Sequence, residues 1–403
     1  MSSPNAKPVA VQFGAGNIGR GFMGELFWAS GYRTVFVDVD RPLVEALRSR
    51  GCYEIHHITN EGDQVIAIAD VSGIDARDAA AVAEAVAGAS LVCTAVGVRA
   101  LKAVTPALAE GMARRLLYPG TVPLNVITCE NLVGAGAFIR ELVRAELENR
   151  VTVGHRRSLS QREFDARFGF VEAVVSRMVP IVPDEIRRRD PLWIACEPYA
   201  RLPVDGKAIR GPALRLHGLE PVEDIVAYQR RKLASHNMSH AVCAYLGYKA
   251  GHEFIWQAME DPQVEGVVRG AMDETGRALS LRFGFDAAEE AAYEHDLRQR
   301  YRNRALSDQV RRVAADPLRK LGPEDRLIGS ARLCLQEGVE PTNVIRAIRA
   351  ALAYDNPADP TAVTLQDMLR TAGLPGVLRE VCGLVETEPL YMRLADQSPG
   401  GDP

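Results

Sequence analysis

The chain has few cysteines and no long uninterrupted apolar run. Its seven cysteines are scattered at positions 52, 93, 129, 196, 243, 334 and 382, and no CxxC pair occurs. Reduced thiols in a cytoplasmic protein are the simplest interpretation of such spacing. No stretch approaches the length of a membrane span, and residues 1–7 lack the apolar core of a signal peptide. We therefore expect a cytoplasmic protein with no membrane partner.

A strong excess of positive charge is also missing. The formal net charge is −4 and the sequence pI is about 6.1, so no basic field indicates nucleic acid or an anionic membrane as a partner. The apolar fraction of 47% and the charged fraction of 25% are typical of a soluble globular protein. At 403 residues the chain is too long for one ordinary domain, so we expect two.

A glycine-rich turn follows the first predicted strand directly. Residues 9–13 form an apolar run typical of a buried strand, and a GxGxxG pattern comes next, before a helical stretch. In the dinucleotide-binding fingerprint such glycines allow a tight turn and a close approach of the backbone to pyrophosphate. The cofactor-binding residues predicted here are Gly14, Ala15, Gly16, Asn17, Ile18, Gly19, Arg20 and Gly21.

An acidic residue stands at the end of the second predicted strand. Residues 34–37 are followed by Asp38, at the distance from the last glycine where a carboxylate accepts hydrogen bonds from the adenosine ribose hydroxyls. A carboxylate at this place repels a 2′-phosphate, and Asp40 adds to the same negative field. The pattern therefore predicts NAD rather than NADP as the cofactor.

Strands and helices alternate through the first half of the chain. Two further strands are predicted to end just before Gly97 and just before the segment that holds Asn131, and a hairpin is inserted over residues 53–68. Strands separated by helices predict a parallel, doubly wound sheet, whose ligands bind at the carboxyl ends of the strands. Gly14, Asp38, Gly97 and Asn131 all fall at such ends, although Asn131 could instead be only a helix cap.

The second half of the chain has a different pattern. Residues 197–218 are irregular and contain several prolines and glycines, and from residue 221 onward the pattern is helical almost to the end. We therefore predict an α/β protein in which a Rossmann-type doubly wound parallel sheet over residues 1–205 is followed by an all-helical domain over residues 206–403.

Polar side chains share one sector of a predicted helix that begins at Lys232. At about 100° per residue, Asn237 lies about 140° and His240 about 80° around the helix axis from Lys232. The residues that follow are mostly apolar, so the helix enters a packed interior and Lys232 is placed near a cleft wall. A buried helix with one satisfied histidine and a snorkelling lysine is the alternative.

Several of these motifs together resemble the polyol-specific long-chain dehydrogenases. The resemblance extends from about Val9 to about Leu369. The motifs that carry it are Phe13-Gly-Ala-Gly-Asn-Ile-Gly-Arg-Gly21, Thr94-Ala-Val-Gly97, Cys129-Glu-Asn131, Gly169-Phe-Val, the Lys232, Asn237 and His240 spacing, Ala244-Tyr-Leu-Gly247, Ala250-Gly-His252, Gly270-Ala-Met272 and Pro317-Leu-Arg-Lys-Leu321.

The resemblance implies a Rossmann domain and a helical domain with the active site in the cleft between them. It implies hydride transfer between a secondary carbinol and NAD, with Lys232 as the general acid/base and without a metal. Asn131 and Asn237 would stabilise the alkoxide-like oxygen, and His240 would orient Lys232 or bind a substrate hydroxyl. The predicted catalytic residues are therefore Lys232, Asn237, His240 and Asn131, and the predicted partner is a small-molecule polyol or sugar phosphate.

The substrate follows from the resemblance less directly than the cofactor. The expected reaction interconverts D-mannitol 1-phosphate and D-fructose 6-phosphate, because the sugar-acid and free-polyol members are generally longer. The alternatives are a dehydrogenase of free mannitol or of a hexuronate (tagaturonate or fructuronate), and a non-catalytic dinucleotide-binding regulator. Ser176 occupies a position where the family usually has Asp, and the Trp that tends to occur near Leu202 in the family is absent. These two departures from the family pattern concern the choice of substrate rather than the choice of cofactor.

Two further features have competing interpretations. His236 and His240 have the spacing of helical metal ligands, but no other His/Cys cluster completes a zinc site, so we predict no metal. Arg319 and Lys320 could attract a substrate phosphate, although a charged pair is usually a solvated face. The expected assembly is a monomer or a small homo-oligomer.

Overall fold

The computed structural model describes residues 7–117, 120–152 and 159–396. The chain divides into two compact units, the first ending at Val226 and the second beginning at Ala227. No helix in the described ranges is long and apolar enough to span a bilayer. The strands are β1 (Val9–Phe13), β2 (Arg33–Asp38), β3 (Cys52–Thr59), β4 (Gly62–Ala69), β5 (Val71–Asp75), β6 (Leu91–Thr94), β7 (Leu124–Thr128), β8 (Phe168–Glu172), β9 (Ile194–Cys196), β10 (Leu202–Asp205) and β11 (Leu219–Val222).

Helices connect the strands of the first unit and build the second. Those before the division are α1 (Gly24–Ala29), α2 (Arg41–Arg50), α3 (Ala79–Gly88), α4 (Leu101–Arg115), α5 (Ala135–Thr152), α6 (Gln161–Arg167) and α7 (Asp184–Arg189), and the division itself falls within α8 (Ile225–Arg231). Those beyond it are α9 (Met238–Lys249), α10 (Ile255–Glu260), α11 (Pro262–Phe283), α12 (Ala287–Tyr301), α13 (Val310–Ala314), α14 (Pro317–Lys320), α15 (Ile328–Gln336), α16 (Thr342–Leu352), α17 (Pro360–Glu380) and α18 (Pro389–Ala395).

The main sheet of the first unit confirms the predicted fold class. Its six strands are parallel and lie in the order β5-β2-β1-β6-β7-β8. The order reverses beside β1, which is where doubly wound sheets open a crevice for ligands. The predicted hairpin is also confirmed, because β3 and β4 pair antiparallel, and β9 joins β3 in a separate three-stranded sheet.

Alternate residues of β1 face two different layers of helices. Val11 and Phe13 pack in one core with Leu108 of α4, whereas Ala10 packs in another with Leu26 of α1. Successive side chains of a strand point to opposite faces, so a strand covered on both sides is apolar along its whole length. This is why β1 has the continuous apolar run from which it was predicted.

The first unit extends further along the chain than the sequence predicted. A boundary after residue 205 separates β10 from β11, yet these strands pair in parallel, with Leu202 opposite Leu219. An isolated bridge from Ala173 to Val204 ties β10 back to the segment after β8. The irregular stretch between residues 206 and 218 therefore belongs with the first unit, and the division falls at Val226 instead.

Helix α9 is the central helix of the second unit. It contacts α10, α11, α13 and α16, and its residues 241–245 are essentially inaccessible to solvent. A helix that is apolar on most of its sides is stable only when neighbours cover it on most of its sides. Across the described residues of this unit the regular elements are helices, with one isolated bridge between Phe254 and Gln309.

Candidate active site

The three fingerprint glycines meet three different steric requirements. Gly14 has φ +86°, and a Cβ there would lie 2.4 Å from the carbonyl oxygen of Ala95. A Cβ at Gly19 would lie 1.9 Å from the carbonyl oxygen of Gly14, so the helix packs directly on the turn. Around Gly16 a Cβ would meet nothing within 4 Å. The first and third glycines therefore build the turn, and the second leaves open space where a phosphate can approach the backbone.

Asp38 is joined to this turn by a hydrogen bond. The backbone N–H of Ala15 donates to Oδ2 of Asp38 at 2.6 Å, and the backbone N–H of Asp40 donates to Oδ1 at 3.0 Å. The carboxylate is half-buried at the end of β2. It holds the turn against the second strand, and carboxylate lone pairs remain to accept from ribose hydroxyls.

Arg20 and Gly21, which were also predicted to bind the cofactor, contact other parts of the protein itself. Arg20 is buried, and its guanidinium donates to the carbonyl oxygens of Ala15 at 2.6 Å and Leu192 at 2.7 Å. A Cβ at Gly21 would lie 2.9 Å from Cδ1 of Ile194, so this glycine permits close packing. Arg20 therefore braces the glycine turn from inside the protein.

Asn17 and Ile18 begin the helix that follows the turn. Both are half-buried, and the side-chain amide of Asn17 donates to the carbonyl oxygen of Pro180 at 3.4 Å. The first N–H groups of a helix have no acceptor within it and carry the positive end of the helix dipole. The start of this helix therefore provides N–H donors suited to a pyrophosphate.

Glu130 ties the end of β6 to the end of β7. Its carboxylate accepts from the backbone N–H of Val96 at 3.0 Å and of Gly97 at 2.8 Å. Gly97 has φ +83° and is exposed, so the chain turns there without a side chain over the strand end. The sequence showed Glu130 only as part of a motif, because its acceptor role depends on the neighbouring strand.

Asn131 is exposed just beyond β7. Within the described ranges its side chain makes no hydrogen bond, and the N-terminus of α5 is instead served by Glu172. That carboxylate accepts from the backbone N–H groups of Gly134 and Gly136, each at 3.2 Å. The alternative in which Asn131 is a helix cap therefore has no support, and its amide is available to a ligand.

A π-helical turn runs from Lys232 to Asn237, between α8 and α9. The backbone N–H of Met238 donates to the carbonyl oxygen of Leu233, five residues back. The angles predicted for a regular α-helix therefore do not apply across this turn. A wider turn brings Lys232 and Asn237 closer to one line along the helix, and such turns are frequent at functional sites.

Lys232 and Asn237, the two predicted site residues on the π-helical turn, are half-buried. The third, His240, lies further along the chain on α9. Nε2 of His240 lies 3.0 Å from Oδ2 of Asp308, at ion-pair distance without the alignment of a hydrogen bond. Its ring stacks on Tyr301 with centroids 4.9 Å apart and an angle of 9°. The side chain of Asn237 has no hydrogen bond to any residue that the structure describes. His240 is thus held in place, while the Asn237 amide stays available.

His236 points into the protein from the same turn. His236 is 6% exposed. Burial is the largest cause that holds the pKa of its imidazole well below the usual value, and a smaller contribution comes from the charges of Arg300, His240, Lys232 and Arg326. The ring is therefore neutral at physiological pH. Its Nδ1 is buried without a hydrogen-bond partner among the described residues.

The sequence did not predict an ion pair that lies next to the π-helical turn. Nε of Arg231 lies 2.8 Å from Oε2 of Glu290 on α12, and the guanidinium stacks on Tyr293 at 4.1 Å. Oγ of Ser235 donates to the other oxygen of Glu290 at 3.3 Å. Glu290 thus contacts the residue before Lys232 and a residue inside the turn, and it fixes the backbone that carries Lys232.

A second buried cluster, in the first unit, contains three potential metal ligands, Glu25, His57 and Cys196. Oε2 of Glu25 is 2.9 Å from Nε2 of His57, and Arg177 forms an ion pair with the same carboxylate. Burial raises the pKa of the Cys196 thiol to about 12, so the thiol is protonated in the protein as it stands. The cation that this cluster already holds is the Arg177 guanidinium.

The glycine turn, the acidic end of β2 and the strand order define a Rossmann-type dinucleotide-binding protein with a helical second unit. Two family models match nearly the whole chain: the mannitol dehydrogenase Rossmann domain over residues 8–218 and the mannitol dehydrogenase C-terminal domain over residues 224–380. The chain therefore belongs to the mannitol dehydrogenase family. The change from one domain to the other again falls later than residue 205.

Curated relatives of the chain align over nearly their full length. A mannitol-1-phosphate 5-dehydrogenase of Bacillus pumilus is 39% identical over 96% of this chain and 99% of its own, and that of Bacillus subtilis is 37% identical over 95% and 97%. Among solved structures, the Pseudomonas fluorescens mannitol 2-dehydrogenase aligns with a TM-score of 0.73 at 19% identity, covering 97% of this chain and 90% of its own. At that identity the likeness concerns the fold.

Proposed function

We propose that this protein is an NAD-dependent oxidoreductase that interconverts D-mannitol 1-phosphate and D-fructose 6-phosphate. The observation that carries the proposal is full-length similarity to mannitol-1-phosphate 5-dehydrogenases, at 37–39% identity over at least 95% of the chain. Both halves of the chain match the same family, so neither the nucleotide-binding nor the helical domain has been replaced.

Asp38 and the glycine turn support NAD as the cofactor. Gly16 leaves the backbone open to a pyrophosphate, and the carboxylate of Asp38 stands at the end of the second strand. A ribose with free hydroxyls can donate to this carboxylate, whereas a 2′-phosphate would be repelled by it.

The reaction transfers hydride from a secondary carbinol to the nicotinamide and releases one proton. Lys232 is the proposed general base that takes the hydroxyl proton as hydride leaves carbon, and it returns the proton in the reverse direction. Asn237 supports this role because its amide makes no hydrogen bond within the described protein and lies one wide turn from Lys232. It is the proposed donor to the alkoxide-like oxygen, together with Asn131.

His240 is the proposed orienting residue for Lys232 or for a substrate hydroxyl. Its contact with Asp308 and its stacking on Tyr301 support this role, because both restrict the imidazole to one orientation. A base and a donor that are fixed before substrate binds need no reorganisation in the transition state. A catalytic cleft between the two domains, a cytoplasmic location and a monomer or small homo-oligomer stay predictions.

The test is a substrate panel with purified wild-type protein. NADH oxidation is followed with fructose 6-phosphate, fructose, tagaturonate and fructuronate, and the reverse reaction with mannitol 1-phosphate and NAD. We expect the highest kcat/KM with fructose 6-phosphate, and unchanged activity after dialysis against EDTA. A higher kcat/KM with an unphosphorylated sugar or a hexuronate would overturn the substrate. Activity lost to EDTA and restored by Zn²⁺ would overturn the metal-free mechanism.

A further inference from the structure

Arg231, the residue before Lys232, is a cation held largely out of solvent. Its side chain is 12% exposed, and Cζ of the guanidinium lies 4.1 Å from the ring centroid of Tyr293 and 5.0 Å from that of Phe285. In the part of the chain that the structure describes, Glu290 on α12 is the only carboxylate at ion-pair distance from it. Removing a charge from water is costly unless an opposite charge accompanies it, so the charge of Arg231 is balanced by Glu290.

Glu290 contacts the chain on both sides of Lys232. The residue is 2% exposed, and its Oε2 lies 2.8 Å from Nε of Arg231 while its Oε1 accepts from Oγ of Ser235 at 3.3 Å. Burial raises the pKa of the Glu290 carboxyl, and the charge of Arg231 and the hydrogen bond from Ser235 oppose that shift. One buried carboxylate therefore joins the residue before Lys232 to a residue inside the π-helical turn.

The other titratable groups around Glu290 act on Glu294, one helical turn further along α12. Burial, then the charges of Glu290 and Asp273, raises the pKa of Glu294 to about 8, and the charges of Arg298 and Arg231 oppose this rise. Glu294 is therefore mostly uncharged at neutral pH. The charge of Arg231 is balanced by Glu290 and not by its neighbour on the same helix.

The far end of the turn is held by the same helix through a neutral group. The hydroxyl of Tyr301 donates to the backbone carbonyl oxygen of His236 at 2.8 Å and lies 3.0 Å from Oγ of Ser239. Helix α12 thus holds the turn near both of its ends. Of these contacts, the one made by Glu290 is the one that also sets the charge next to Lys232.

We propose that Glu290 is a positioning residue for the general base, because it neutralises Arg231 and anchors the turn that carries Lys232. This inference rests on the proposed function, and it names a residue that acts on the reaction only through Lys232. With Glu290 ionised, Arg231 adds no net positive charge beside the amine. Without Glu290, the uncompensated guanidinium would favour loss of the proton from Lys232 and leave a weaker base. The base would also be less firmly placed, so both effects lower kcat.

The test measures the pH dependence of kcat for mannitol 1-phosphate oxidation in two variants and one control. Glu290→Gln removes the negative charge but keeps an oxygen that can accept from Ser235. The double variant Arg231→Met/Glu290→Gln removes both charges and keeps an apolar side chain against the two aromatic rings. The control, Glu289→Gln, makes the same change at an exposed neighbour, whose contact with Arg231 at 3.5 Å uses its backbone carbonyl. Circular dichroism and melting temperature establish that each variant is folded.

We expect Glu290→Gln to lower kcat at least about tenfold and to move the limb assigned to the amine to lower pH by about one unit, because a nearby uncompensated charge shifts a titration by about 1–3 units. In the double variant the limb returns to its wild-type pH, since no uncompensated charge remains, while kcat stays low because the anchor is absent. KM for mannitol 1-phosphate and NADH affinity stay within about twofold in both variants. Glu289→Gln matches wild type in every measurement.

Two results would overturn the inference while leaving the proposed function in place. One is an amine limb at its wild-type pH in folded Glu290→Gln, which would make any loss of activity merely structural. The other is a wild-type kcat in the double variant, which would show that the base needs no anchor on α12. If Glu290→Gln does not fold, the double variant decides by its kcat. Wild-type protein that fails to oxidise mannitol 1-phosphate would instead contradict the proposed function itself.

Discussion

Replacing Gly16 with alanine separates cofactor binding from folding. A Cβ at Gly16 meets no atom within 4 Å, and the residue does not have the left-handed φ that penalises a side chain. Gly→Ala at a compatible backbone position stabilises a protein by about 0.4–1 kcal/mol, chiefly by restricting the unfolded chain. We therefore expect Gly16→Ala to melt at or slightly above the wild-type temperature.

Cofactor affinity should change in the opposite direction. The open space at Gly16 is where the pyrophosphate would approach the backbone, so a methyl group there displaces it from the N–H donors. Losing a hydrogen bond to a charged group costs about 1.5–3 kcal/mol, which corresponds to about a ten- to hundredfold rise in Kd. NADH fluorescence titration at fixed ionic strength measures this change.

Two other glycines provide the controls. Gly88 at the end of α3 also has no atom within 4 Å of a would-be Cβ, so Gly88→Ala should raise the melting temperature slightly, as Gly16→Ala does, but leave the Kd for NADH at its wild-type value. Gly14→Ala should unfold more easily by about 2–5 kcal/mol, because it combines a left-handed φ with a close contact at Ala95. A folded Gly16→Ala variant with wild-type NADH affinity would refute this account of the turn.

Two further predictions concern the carboxylates of Asp38 and Glu294. Asp38→Ala should reduce kcat/KM with NADH and narrow the preference over NADPH; a wild-type protein that uses NADPH equally well would contradict the role of Asp38. Burial, then the charges of Glu290 and Asp273, raises the pKa of Glu294 to about 8. A raised pKa favours the folded state at low pH, and this contribution is lost as pH rises through about 8. Glu294→Gln should therefore raise the free energy of unfolding by up to about 5 kcal/mol at about pH 9 and by less at about pH 5. Urea unfolding at the two pH values measures the difference. An equal effect at both would contradict the raised pKa of Glu294.

The parts of the fold that were predictable depend on local sequence. The apolar run of β1, the glycines that follow it and Asp38 at the end of β2 lie within one short segment, and the contacts of Gly14 with Gly19 occur inside it. Their spacing alone therefore carries the geometry of the turn. The same holds for the β3–β4 hairpin, whose two strands are neighbours in the chain.

The parts that were not predictable depend on distant partners. Arg20 braces its turn through Leu192, and His240 faces Asp308, so neither environment is visible in the surrounding sequence. The turn at Lys232 departs from α-helical spacing, which apolar periodicity cannot reveal. Lys320 belongs to a charged pair of the kind that usually marks a solvated face, yet it is buried on α14, which packs against α17 from further along the chain.

The most direct test of the central claim is the pH dependence of kcat for mannitol 1-phosphate oxidation in Lys232→Ala. Removing a general base typically costs about 10²–10⁴-fold, so kcat should fall by about this factor, the limb assigned to the amine should disappear, and NADH affinity should hardly change. Asn237→Ala should also lower kcat but keep that limb, because it removes a donor and not the base. Near wild-type kcat with an unchanged pH profile in Lys232→Ala would contradict the account.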